Sequence, residues 1–347
     1  MKLFRYGVLA TAGALLAACD NSTGGTPTVL PPQAYVRYVN GVSDLNTIDL
    51  RFVDFVEGSP NFTGVQFRQF TPYQAVNAGS RQLRAFVSPI PYVAGATPTR
   101  QTQIAQTVVD DTTITFQAGV YYTLYQVGQS GMAFSNPGDA GGAAGAAGNV
   151  PNGPVTAGTV SLYVYVDSIP AVSNPPAATV FQRMVNLGQP STNAQGLGTL
   201  DLFVARESDA VLTNPGGTSG NKYTAVPPFP ANGAVTPYVT LASRTTSAAS
   251  TGGSPNCAAQ TNTFRFSANP TGSTTLPAAA SLVSCVIGTL GTTTVNGVAG
   301  AQVPGSVLTT VLFPAAKTGS AAAAIGTSFA TPLFVTMIDK NPPRTAP

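Results

Sequence analysis

The chain has 347 residues, with 16 Lys and Arg against 13 Asp and Glu, no histidine, no tryptophan and three cysteines. The missing histidine excludes Ser-His-Asp and Cys-His catalysis and every His-containing zinc site, and a net charge of +3 lacks the basic stripe of a nucleic-acid binder. Only 8% of residues are charged, while 36 Gly and 29 Pro punctuate the chain, the composition of an exported all-β protein with many turns.

Lys2 and Arg5 precede an uncharged run, residues 7–18 (GVLATAGALLAA). The run has the length of a signal-peptide core and is too short to cross a bilayer, which needs about 20 apolar residues. It ends in Leu16-Ala17-Ala18-Cys19, which resembles the bacterial lipobox. The resemblance implies that residues 1–18 are a signal peptide and that Cys19 is acylated and becomes the first mature residue. An ordinary secretory signal with a chance cysteine is the alternative. Three acyl chains exceed the two signals that stable anchoring takes. The expected partner is therefore a membrane, and the expected location is the bacterial cell envelope, on the periplasmic or cell-surface side. Residues 19–33, polar and then Pro-rich, read as a tether.

Strand signals follow. YVRYVNG (35–41), IDLRFVDF (48–55), QLRAFV (82–87), TITFQ (113–117), VYYTLYQVG (120–128) and VSLYVYVD (160–167) are period-two runs rich in β-branched and aromatic residues. No window has a capped helical period. Residues 137–158 are Ala/Gly-rich and read as a low-complexity surface loop.

The chain repeats itself. YVRYVN (35–40) recurs as FQRMVN (181–186), so Arg37 matches Arg183 and Asn40 matches Asn186. Asp49 then matches Asp201, VNAGSRQLRAFV (76–87) is echoed loosely by PANGAVTPYVTL (230–241), and VSLYVYVDSIP (160–170) by PLFVTMIDKNPP (332–343). The expected fold class is all-β: two tandem antiparallel β-sandwich domains, Ig-like or transthyretin-like, over 34–170 and 177–343. Prolines 170, 175 and 176 mark the hinge.

Val-Arg-x-Val-Asn, the following x-Asp-Leu, the Phe70/Pro72/Tyr73 turn, Val76-x-Ala78-Gly79 and Ala118–Leu124 together resemble the bacterial domain of unknown function 4397. The likeness is strong over 35–128 and weaker over 180–340. It implies tandem extracytoplasmic β-sandwich modules, often on lipoproteins, and brings no catalytic residues with it.

Candidate sites are few. With Cys19 acylated, Cys257 and Cys285 remain, and an oxidising compartment favours a disulfide between them over two buried thiols. Arg37 and Arg183, mid-strand at equivalent positions, are expected to form structural ion pairs with Asp49 and Asp201, holding register more than adding stability. Tyr121, Tyr163 and Tyr165 are the candidate binding face for an envelope glycan or protein ligand. No catalytic residue, cofactor or metal is expected, and the chain reads as non-enzymatic. The sequence leaves the oligomeric state open.

Overall fold

In the computed structural model, the described residues are 31–54, 62–87, 108–130, 160–170, 179–188, 197–206, 220–229, 231, 233–242, 263–272, 283–287, 305–317, 320, 322–323 and 327–340. The signal peptide, Cys19, the tether up to residue 30 and the 137–158 loop lie outside them, while Gln33, the last residue of the expected tether, already belongs to the first strand. From Gln33 onward the chain forms one compact unit.

The first half supplies eight strands: β1 (Gln33–Val42), β2 (Thr47–Phe52), β3 (Phe62–Gln66), β4 (Gln74–Asn77), β5 (Gly79–Val87), β6 (Val108–Phe116), β7 (Tyr121–Gly128) and β8 (Ser161–Val166). The second supplies β9 (Thr179–Asn186), β10 (Leu200–Arg206), β11 (Gly220–Val226), β12 (Val239–Ala242), β13 (Thr263–Pro270), β14 (Val283–Ile287), β15 (Val307–Phe313) and β16 (Leu333–Lys340). A 3-10 turn, Thr327–Ala330, precedes β16. Among the described residues no helix is long and apolar enough to cross a membrane.

The strands form four sheets, in the orders β4-β1-β7-β8, β3-β2-β5-β6, β12-β9-β15-β16 and β11-β10-β13-β14. The second half thus repeats the topology of the first. The all-β sandwich class is as expected and most ladders are antiparallel; the two exceptions are β1 with β7 and β9 with β15, which pair in parallel. The reason is the crossover. After β1 the chain leaves to build the other sheet and re-enters beside β1 running the same way.

Strand parity builds the layers. In the first half, Ala34, Val36 and Tyr38 of β1 and Tyr122 and Leu124 of β7 point toward Ile48, Leu50, Phe52, Leu83 and Phe116 of the facing sheet, closing one sandwich core. In the second, Val180 and Met184 of β9 and Leu312 of β15 meet Leu200, Leu202, Phe266 and Ala268 in a separate core. The opposite faces of β1 and β7 carry Val39, Tyr125 and Val127. These pack on Val185, Leu187, Val311, Phe313 and Met337 of the second half, forming a third core shared by both sandwiches. The four sheets therefore stack one on another, and the two inner ones are covered on both sides. That is why β15 is buried at every position and β7 at all but its first, a pattern usually confined to strands with both faces covered.

One device recurs at each sandwich edge. Asp49 accepts the Gly64 amide at 2.7 Å and Asp201 the Ala225 amide at 2.8 Å. Each aspartate sits at a register shift in its ladder. The residue it holds has positive φ, 62° at Gly64 and 51° at Ala225. The Asp-Leu motif is thus a β-bulge clamp.

Candidate functional site

The shared layer contains the most highly charged buried assembly among the described residues. Arg37 sits on β1 with its side chain 1% exposed, facing away from its own sandwich core. Its Nε donates to Thr123 Oγ1 of β7 at 2.7 Å, and its NH2 reaches Asp339 of β16 at 2.6 Å. The second half does the same in reverse. Arg183 Nε donates to Thr309 Oγ1 at 2.7 Å, and its NH2 bonds Asp167, just past β8. Each arginine is held by its own sandwich and discharges onto the carboxylate of the other.

One oxygen of each carboxylate is held in the same symmetric way. Asp167 Oδ2 accepts from Thr123 at 2.5 Å and Tyr73 at 2.8 Å. Asp339 Oδ2 accepts from Thr309 at 2.5 Å and Tyr238 at 2.6 Å. The guanidinium of Arg37 lies 4.6 Å over the Tyr73 ring, and that of Arg183 lies 4.6 Å over Tyr238. The set is neutral overall: two cations, two anions, two threonines and two tyrosines.

Burial on its own would lower both arginine pKa values. Asp339, Tyr73, Asp167 and Tyr125 together outweigh it at Arg37, and the surrounding tyrosines and aspartates outweigh it at Arg183, so both stay charged well above the usual guanidinium range. Burial pushes the Tyr73 and Tyr238 hydroxyls up from their ordinary value of 10.0. Tyr125 lies between the two arginines; burial raises it as well, and its hydroxyl has no hydrogen-bond partner among the described residues.

Arg68 adds a second clasp. It sits in the turn after β3 at φ 68°, and its NH2 donates to the carbonyls of Pro314, at 2.6 Å, Phe329 and Thr331 in the second half. Its guanidinium also lies 5.0 Å over Phe67 and 5.3 Å over Phe329. With carbonyls rather than a carboxylate as partners, burial lowers its pKa to about 10.

The expected pairs of Arg37 with Asp49 and Arg183 with Asp201 are therefore corrected. Asp49 lies on the outer sheet and bonds Gly64 and Arg51; Asp201 bonds Ala225 and Gly272. Parity turns the arginines to the opposite side of the inner sheets. The tyrosine face is corrected as well. Tyr163 packs 5.3 Å from Phe229, and Tyr165 lies beneath the Arg183 guanidinium at 5.2 Å, while Val164 and Val166 are the exposed residues, at 40% and 53%. The face taken as free is covered by the second sandwich. Tyr121 is half-buried, stacked on Tyr35 at 4.6 Å. The loose echo of 76–87 in 230–241 is out of register too: ladder pairing aligns Thr71-Pro72-Tyr73 with Thr236-Pro237-Tyr238. Cys285 lies in β14, and Cys257 falls outside the described residues.

Asp167, Asp339, Thr123, Thr309, Tyr73, Tyr238 and Arg68 were missed as site residues. For the aspartates the signal was present, since each closes an apolar strand at matching ends of the repeat. At one end of the shared layer a cleft of about 470 Å³ opens among Tyr121, Asp167, Ser168, Ile169, Asp339 and Lys340. No group of three or more candidate metal ligands occurs among the described residues.

Residues 34–144, which run from β1 past β7, match the family described as domain of unknown function (DUF4397). No curated protein matches the chain. Among solved structures, the Bacillus anthracis TIE protein is similar at 6% identity and TM-score 0.19, over 82% of this chain and 33% of that one. This chain thus spans about a third of that protein's length. A proposed cell adhesion protein from Parabacteroides distasonis is similar at 11% identity and TM-score 0.21, over 89% and 99%. At these scores neither likeness bears on the fold or role of this chain.

Proposed function

We propose that this protein is a lipid-anchored component of the bacterial cell envelope with a non-catalytic structural or adhesive role, in which two sandwiches act as one stiff body. The observation that carries the reading is the reciprocal bonding of Arg37 with Asp339 and Arg183 with Asp167. The buried ionisable groups that would be the raw material of a catalytic site are committed to each other across the shared layer. Buried pairs of this kind fix geometry rather than add much stability. A fixed two-domain geometry suits a module that spans distance or presents a surface. The lipobox-like Leu16-Ala17-Ala18-Cys19 supports the anchor.

Fractionation of cells expressing wild-type and Cys19→Ala protein tests the reading. Wild type is expected in membranes, released only by detergent, with an acylated N-terminal peptide by mass spectrometry. The variant is expected in the soluble extracytoplasmic fraction, and a variant that stays membrane-bound overturns the anchor.

A second reading, a small glycan or peptide bound at a sandwich end, is favoured by the 470 Å³ cleft beside Tyr121 and Lys340. Its volume and its place between two packed units are those of many ligand sites. Chemical-shift changes confined to its lining on titration with cell-wall fragments would support it, and no change at millimolar fragment would remove it.

A further inference from the structure

We propose that the cleft at the end of the shared layer binds a small organic carboxylate with an apolar body, the body against Tyr121 and the carboxylate toward Lys340. The proposal rests on the reading of this cleft as a ligand site and narrows it to one chemistry.

Three segments converge to make the cleft: residues 119–121 at the start of β7, residues 167–169 after β8, and residues 339–340 at the end of β16. The ion pairs of the shared layer place two of them. Asp339 is fixed to Arg37 and Asp167 to Arg183, so their chain neighbours Lys340, Ser168 and Ile169 are carried to the rim. The Asp167 amide donates to the Tyr121 carbonyl at 2.8 Å and the Ile169 amide to the Asp167 carbonyl at 2.9 Å, which ties the second wall to the first. Tyr121 is braced in turn. Its ring stacks on Tyr35 at 4.6 Å and meets Tyr73 in a T-shaped contact at 5.1 Å. Tyr73 is itself held by Asp167 and by the Arg37 guanidinium. Walls already in place cost a ligand little ordering.

The lining selects the chemistry. Asp167 and Asp339 belong to it, yet both carboxylates are sealed from water and neutralised by the arginines. Neither is free to take a ligand's cation or hydroxyl groups. Lys340 is exposed and has no ion-pair partner among the described residues, so it is the uncompensated charge of the lining. One ammonium matches a monoanion; the second charge of a phosphate would have no partner. The other side chains are the apolar Val120 and Ile169 and the aromatic Tyr121, with a single hydroxyl from Ser168. A neutral saccharide brings several hydroxyls, and each left without a partner on leaving water costs about 1–3 kcal/mol. A ligand with one anionic end and an apolar body leaves none. The volume, about 470 Å³, lies toward the small end of ligand pockets, about 300–1,000 Å³. The same chemistry is presented by the C-terminal residue of a peptide and by a free aryl or alkyl acid.

The full-length chain labelled at its isoleucine methyl groups tests this by NMR. Ile169 reports on the cleft, and Ile48 and Ile114, in the first core, serve as internal references. The probes are N-acetyl-alanyl-phenylalanine, its C-terminal amide, hydrocinnamate and the neutral disaccharide chitobiose. Both acids are expected to move Ile169 at millimolar concentration. The amide is expected to bind about fivefold more weakly than its acid, the scale of one exposed ion pair. In Lys340→Gln the acid is expected to fall to the level of the amide, with the amide unchanged, and added salt is expected to act the same way in wild type. Tighter binding of the dipeptide acid than of hydrocinnamate assigns the cleft to a peptide end, and equal binding assigns it to a free acid. Acid and amide binding equally, or the acid binding Lys340→Gln as well as wild type, overturns the proposal. If the amide or the disaccharide binds best, the cleft stands as a ligand site and the carboxylate assignment falls. If no probe moves Ile169, both fall.

Discussion

Arg37 and Asp339 stand near opposite ends of the chain and lie 2.6 Å apart, both side chains essentially sealed from water. Removing one partner strands the other charge in the interior, which costs about 3–5 kcal/mol. Arg37→Met and Asp339→Leu are each expected to lower the unfolding free energy read in urea by that much. The combined Arg37→Met and Asp339→Leu chain is expected to lose less than the two single changes summed, because no lone charge remains. A double-mutant cycle in urea reads both outcomes.

Alkaline pH is expected to loosen the protein through its tyrosines. Burial is the first cause of the raised hydroxyl pKa at Tyr38, Tyr73, Tyr125, Tyr223 and Tyr238. Each contributes stability fully present below the unfolded value of 10.0 and lost as pH rises from there toward the folded value. The slope is about 1.4 kcal/mol per pH unit per tyrosine. Arg68, lowered to about 10, acts with the opposite sign between there and its unfolded value of 12.5, and one arginine does not offset five tyrosines. Urea midpoints from pH 8 to 11, with tyrosinate absorbance alongside, should show midpoints falling only above pH 10. A flat profile would contradict the burial of these hydroxyls.

Ala225 holds φ at 51° where its counterpart in the first half is Gly64. The left-handed region costs a non-glycine residue about 1 kcal/mol. Ala225→Gly is expected to stabilise the protein by about that amount in thermal unfolding, since the Asp201 bond to its amide needs no side chain. The reverse change, Gly64→Ala, is expected to destabilise.

Arg68 organises the carbonyls of Pro314, Phe329 and Thr331 from the other half of the chain. Arg68→Met keeps the apolar stem against Phe67 and Phe329 and loses the donors. Hydrogen exchange is expected to quicken several-fold at residues 315–317 and 327–331, with little change in the β10–β13 ladder. Uniform quickening across the chain would mean that Arg68 supports global stability rather than this contact.

Strand runs and the recurrence of Arg37 in Arg183 and of Asp49 in Asp201 are legible in the sequence, because period-two alternation and repeated motifs are local. The partners are not. Nearness in sequence favours Asp49 for Arg37, yet strand parity sends the two to different sheets, and the true acceptor is reached only through the packing of one sandwich on another. Tyr163 and Tyr165 show the same limit. Alternation places them on one face and Val164 and Val166 on the other, but says nothing about which face a second domain covers. The short Thr-Pro-Tyr at 71–73 and 236–238 was the better register mark, since both tyrosines end on seam aspartates.

The parallel pairing of β1 with β7, and of β9 with β15, sets an order on folding. An antiparallel hairpin can form as soon as its turn exists. A central strand whose neighbour is a parallel strand more than eighty residues downstream must wait for that segment, and high contact order makes such chains slow. β1 therefore spends the early life of each chain with one edge open, and its burial on both faces comes last, when Asp339 arrives to close over Arg37. A chain of this fold that crossed a membrane from its N-terminus would carry an unfinished first strand until nearly all of it had emerged, and any machinery conducting it would have to hold that strand out of mispairing.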